Sequence, residues 1–264
     1  MKRKGYVKAE FYRVFGSKYL YCGILGVWAA FVFGVYIDER RMDVTALEAI
    51  DNGFYGMTGL LCLMICALPY AGSICEDMEN RYFMAECLRG DVRDFARARA
   101  GMIFLSAMFV MIVGTVCYAV YIKMRYAGWW NESSTSYLLL AEMGTWYTGM
   151  LKRVPVLYFC TAGCLYGLLA GLLALLAALF SLFISNKLLT ASIPFLFMYL
   201  LLDLSMISDL GEGKLNVWNI FQPFINLMGK DVYNFLYALL FSAAVGYLLY
   251  RMILWRMKWR LTHE

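Results

Sequence analysis

Residues 154–185 read VPVLYFCTAGCLYGLLAGLLALLAALFSLFIS, a run without a single charged side chain. At 1.5 Å per residue a helix of this length reaches about 45 Å, whereas hydrocarbon about 30 Å thick needs about 20 apolar residues. The run therefore crosses a bilayer and has to tilt, kink or project beyond it. Backbone amides in lipid must bond one another, and the period-two alternation of a barrel strand is missing, so the segment reads as a helix.

Five further charge-poor runs lie to either side, at 19–37, 55–75, 101–122, 188–207 and 232–250. The composition agrees: 62% of residues are hydrophobic and 16% charged, more apolar than a soluble core can absorb. The expected fold class is all-α, one polytopic membrane domain over 1–264 with six transmembrane helices. The 19–37 run reads as a retained span rather than a leader, because no small-residue cleavage site follows it and Asp38, Glu39, Arg40 and Arg41 come directly after.

Lysine and arginine set the orientation. Sixteen fall in 1–18, in the loop between the second and third runs, in the turn before 188 and in the tail, against 8 on the opposite side. Cytoplasmic loops carry the excess, so both termini and the loop at 76–100 are expected in the cytoplasm, and the chain in the cell membrane. The formal charge of +5 then reflects membrane orientation, and nothing in it suggests a nucleic-acid surface.

Few residues are equipped for chemistry. There is no GxxxxGK[ST], HExxH, GxSxG or EF-hand spacing, so no catalytic residue is assigned and any fuel must come from a partner. Cys62 with Cys66, and Cys160 with Cys164, share helix faces but have no histidine beside them, the sole one being His263, so no metal site is expected. Asp203, in Leu-Leu-Leu-Asp-Leu, is the clearest ionisable residue within a run; it either lines a translocation path or sits at the outer headgroups where the span ends early. Gly163, Gly167 and Gly171, and Gly26, Ala30 and Gly34, form small-residue stripes suited to close helix packing, within one protomer or across a dimer seam.

Three segments outside the runs carry helical patterns. In 1–18, Val7, Phe11, Val14 and Phe15 share a face beside Lys4, Lys8 and Arg13, the pattern of an interfacial helix on anionic membrane lipid. On the outer side, 208–231 encodes an amphipathic element around Pro223, resting on or dipping into the membrane. The loop at 76–100 holds Met78, Tyr82, Ala85 and Leu88 on one face, a break at Gly90, and Val92, Phe95 and Ala96 on a second face, among six acids and five arginines. A short helix offering aromatic and leucine side chains between charges suits a groove on a soluble partner, where a plain connector would need only a few polar residues.

With Glu79-Asn80-Arg81 and Leu88-Arg89-Gly90-Asp91-Val92-Arg93 between the second and third of six runs, the chain resembles the permease subunits of type-2 ABC exporters, in particular those of lantibiotic or bacitracin immunity. It departs from that pattern where Asn80-Arg81 replaces a Gly-Thr pair and Ala98-Arg99 a small-Lys step. The resemblance implies that the loop is a coupling helix seated in a separate ABC ATPase subunit, with Glu79, Glu86, Arg89 and Arg93 as polar contacts and Tyr82, Phe83 and Leu88 as apolar anchors. It further implies two ATPase subunits holding ATP and Mg, a second permease subunit in a homo- or heterodimer, and no cofactor bound by this chain. The expected cargo is hydrophobic or amphipathic, such as an antimicrobial peptide, with sodium or drugs as an alternative. A membrane assembly or sensor protein that recruits a cytoplasmic partner through the same loop is the competing reading.

Overall fold

The computed structural model describes residues 3–38, 45–55, 57–71, 73–79, 91–126, 128–184, 186–207, 216–225 and 227–263. Among them no strand occurs, and the chain forms α1 (Arg3–Phe15), α2 (Lys18–Asp38), α3 (Ala46–Tyr55), α4 (Met57–Ala67), α5 (Ser73–Glu79), α6 (Val92–Tyr126), α7 (Thr135–Met143), α8 (Thr145–Arg153), α9 (Pro155–Ser181), α10 (Lys187–Ile207), α11 (Val217–Ile220) and α12 (Asp231–His263).

Three helices, α6, α9 and α12, are each long and apolar enough to cross a membrane. The pairs α1/α2, bent by 53°, and α3/α4, bent by 79°, meet the same measure when each is taken as one broken span, while α10 offers a shorter apolar stretch. The chain is thus a multi-pass membrane protein with three to five candidate spans; the sixth expected span is not established. The 55–75 run is not one continuous helix. Its helix stops at Ala67 and resumes at Ser73, since Pro69 lacks an amide hydrogen and disfavours helical geometry in the residue before it.

The apolar stretch of α9 is 83% buried and that of α12 only 22%, which places α9 at the centre of the bundle and α12 at its periphery. The central position follows from the glycine stripe. A Cβ at Gly163 would stand 3.1 Å from the Ile112 Cα, one at Gly167 3.1 Å from the Met108 carbonyl, and one at Gly171 2.6 Å from the Phe104 ring. Only hydrogen at these positions lets α6 and α9 approach backbone to backbone. Gly26 and Gly34 of α2 likewise face Ile65 and Thr58 of α4, and Ala30 packs against the core. Both stripes pack within the protomer.

At one end of the bundle the Cys75 thiol of α5 donates to the carbonyls of Ser181 and Ile184, joining α5 to the α9–α10 turn. At the other end the Ala46 and Leu47 amides of α3 donate to the Gly128 and Trp129 carbonyls. There the Asp231 carboxylate of α12 accepts from the Trp146 and Tyr147 amides at 2.8 and 2.9 Å, capping the N-terminus of α8. Gly144, which joins α7 to α8 at φ +154°, faces that carboxylate so closely that a Cβ would lie 2.8 Å from its Oδ1.

The described part of the element expected on the outer side packs into the protein, with Ile220, Phe221, Gln222, Pro223 and Phe224 buried. Asn234 of α12 binds the chain just after them, its side chain donating to the Ile225 carbonyl and accepting from the Leu227 and Met228 amides. Residues 208–215 of the element lie outside the described residues.

Candidate functional site

The segment on which a partner was expected to dock is flanked by a buried charge network. α1 presents Tyr6, Glu10 and Val14 at i, i+4, i+8 to the protein, while Val7 and Phe11 point outward. The Tyr6 ring meets Phe95 of α6 edge to face at 6.0 Å, which seats α1 across the first turns of α6. One turn beyond Phe95 on that helix stands Arg99, 1% exposed.

Arg99 gathers the surrounding elements. Its Nη1 donates to both Glu10 carboxylate oxygens at 2.7 Å and to the Tyr70 hydroxyl at 2.8 Å. Its Nη2 donates to the Ser73 carbonyl at 3.2 Å and to the Asp77 carboxylate of α5. The Tyr70 hydroxyl donates in turn to Glu10, and its ring lies 5.0 Å from the guanidinium carbon. Arg13 of α1 closes the set from the solvent side, its two terminal nitrogens donating to the Asp77 oxygens at 3.2 and 2.7 Å. Two guanidinium and two carboxylate groups leave the cluster formally neutral, the condition under which charges tolerate burial.

This arrangement corrects two expectations. Asp77 and Arg99 belong by sequence to the charged surface of the 76–100 loop, yet both are buried and paired inside the chain. Phe95 and Ala96, read as part of a docking face, are buried as well. Of the residues assigned to partner contact, Arg93 is exposed in the first turn of α6 and Glu79 is the last residue of α5. Tyr82, Phe83, Glu86, Leu88 and Arg89 lie outside the described residues. Asp203 is exposed near the C-terminal end of α10, remote in the chain from the network.

Glu10 and Tyr70 carried no weight in the sequence reading. The signal for Glu10 was an acid four residues after Tyr6 and four before Val14, on a stripe otherwise apolar; for Arg99 it was the small flanking residues Ala96, Ala98 and Ala100. A second buried carboxylate also went unnoticed. Asp51 of α3 accepts from the Ser136 hydroxyl of α7 at 2.6 Å, and its Oδ1 has no hydrogen-bond partner among the described residues. In α8, outside the spans, burial pushes the Tyr147 phenol well above its ordinary value, with the Asp231 charge adding to the effect.

Among the described residues no group of three or more His, Cys, Asp or Glu side chains is placed to hold a metal ion. Every ionisable group of the Arg99 network is engaged by another, so the cluster is built to join α1, α5 and α6 mechanically. No protein-family model, curated protein or solved structure matches the chain at a significant level.

Proposed function

We infer that this chain is the membrane permease subunit of an ATP-driven exporter of the type-2 ABC kind, moved by a separate ATPase that grips the segment between α5 and α6. The observation carrying this reading is the Arg99 network. A connector that only linked two spans would have no need of buried ion pairs at both of its roots; here Asp77 just before it and Arg99 just after it are bound to each other and to α1. A push on the segment would pass through these ion pairs into α1 and α6, and through the glycine contact into α9.

The orientation fits the same scheme. The end bearing the network also bears exposed Lys8, Lys18, Arg93, Arg97, Arg251 and Lys258, and the positive-inside rule assigns that end to the cytoplasm, where an ATPase would reside. An amphipathic cargo suits an aromatic-rich bundle, an antimicrobial peptide being the leading class.

Charge reversal at both Glu86 and Arg89 tests the assignment. An ABC ATPase subunit that co-purifies with wild type should be lost from the variant, while the variant still inserts in the membrane. An undiminished complex with full substrate-stimulated ATP hydrolysis would refute the coupling role, and a partner that binds without any turnover would favour recruitment over transport.

A further inference from the structure

Two adjoining hollows separate α6 from α12. The first, about 350 Å³, lies where both helices run past the apolar stretch, and its rim carries Arg93 and Arg97 from α6 with Arg251, Trp255 and Lys258 from α12. The single ion pair among these cations is the loose Arg97–Asp94 contact at 3.8 Å, between partly exposed groups; no described carboxylate is paired with the side chains of Arg93, Arg251 or Lys258. Four positive charges thus converge, and among the described residues Asp94 is the one carboxylate paired with any of their side chains.

The second hollow, about 470 Å³, continues from the first and shares Arg97, Tyr247 and Tyr250 with it. It runs toward the membrane interior between Gly101 of α6 and Gly246 of α12, over Phe104 and Leu175. A side chain at Gly101 would meet no atom within 4 Å, and one at Gly246 would meet only Leu172 at 3.7 Å, so small residues keep the slot open rather than letting the helices touch. From Tyr250 to Ser242 the slot follows α12 for about 12 Å. The adjoining outer surface of α12, with Leu240, Tyr247 and Leu248 exposed, already faces lipid.

We propose that this composite groove binds an anionic phospholipid, the phosphate in the basic mouth and one acyl chain in the apolar slot. Each half accounts for one half of such a molecule, in the order a leaflet presents them, and a basic pocket between spans at the membrane surface is a chemistry that recognises anionic headgroups. A soluble phosphate would leave the slot unused, and an acidic peptide would bind the mouth without entering lipid. Aromatic Tyr247, Tyr250 and Trp255 at the junction stand at headgroup depth, where such rings are favoured. The site is independent of the transport reading, resting only on the chain's residence in a bilayer.

The test uses the purified full chain in nanodiscs of phosphatidylcholine with or without phosphatidylglycerol, followed by mass spectrometry of the lipid retained after detergent washing and by the thermal midpoint. Wild type should retain phosphatidylglycerol preferentially and gain stability from it, whereas glycerol phosphate should give no shift. Arg97→Gln with Arg251→Gln should weaken that preference roughly tenfold, and Gly101→Leu, which fills the slot, should abolish retention. The midpoint in phosphatidylcholine alone reports whether each variant is folded. Should the slot variant fail there, the mouth variant decides by itself. Equal retention of both lipids by wild type, unchanged retention in a folded mouth variant, or an equal shift from glycerol phosphate would each overturn the proposal.

Discussion

The Arg99 guanidinium lies 2.7 Å from both carboxylate oxygens of Glu10, 89 residues earlier in the chain, with both side chains almost wholly out of solvent. That bond ties α1 to α6, a helix long and apolar enough to span a membrane. Buried pairs of this kind add modestly to stability when complete, yet breaking one is costly, because the survivor stays buried without its partner.

Arg99→Met should lower unfolding stability in detergent by about 3–5 kcal/mol, since Glu10 loses its cation and Asp77 keeps only Arg13. Adding Glu10→Gln to that variant should cost less than Glu10→Gln costs alone, because the buried charge is then gone. A double-mutant cycle on chemical-denaturation midpoints measures this, and strict additivity would contradict a shared network.

At the opposite end, Gly144→Ala should destabilise by about 1–3 kcal/mol, as φ +154° is strained for any L side chain and the new methyl would press on Asp231. Asp231→Ala should cost about 1 kcal/mol through loss of the α8 cap. Thermal melts followed by circular dichroism would detect both; a Gly144→Ala protein as stable as wild type would exclude this backbone conformation.

Two glycines in helices should respond with opposite sign. Gly167→Ala places a methyl 3.0–3.2 Å from Met108 and should destabilise by about 1–3 kcal/mol through overpacking. Gly149→Ala in α8 meets nothing within 4 Å and should stabilise by up to about 1 kcal/mol. Comparison of their melting midpoints tests the α6–α9 contact directly, and equal shifts would mean that the stripe does not pack there.

Glu132 and Lys258 are exposed at opposite ends of the bundle. Glu132→Cys should react with a membrane-impermeant maleimide on intact cells, while Lys258→Cys should react only after permeabilisation. Removing Glu132 should itself be harmless, because its 3.6 Å pair with Lys152 is solvated. Labelling of both from the same side would overturn the arrangement of the spans.

Much of the architecture was legible in apolar runs because lipid imposes a simple rule: a long uncharged segment has to satisfy its own backbone. The rule located the apolar parts of α2, α6, α9, α10 and α12, although α6 begins nine residues before its run and α12 continues thirteen beyond its own. It did not reveal that Pro69 would interrupt the 55–75 run, nor that Phe221 and Phe224 would be buried. The glycine stripes were legible as close-approach faces, but their partners were not, since spacing along one helix says nothing of the surface it meets.

The sequence by itself determined that this chain is helical, embedded in a membrane and charged at a few sites, because apolar run length and the distribution of lysine and arginine are local properties that a bilayer reads directly. The tertiary structure alone decided which charges face water and which face each other. Glu10, Tyr70, Asp77 and Arg99 are separated in the chain and individually unremarkable, and burial makes their mutual bonds obligatory only once α1, α5 and α6 have been brought to one point.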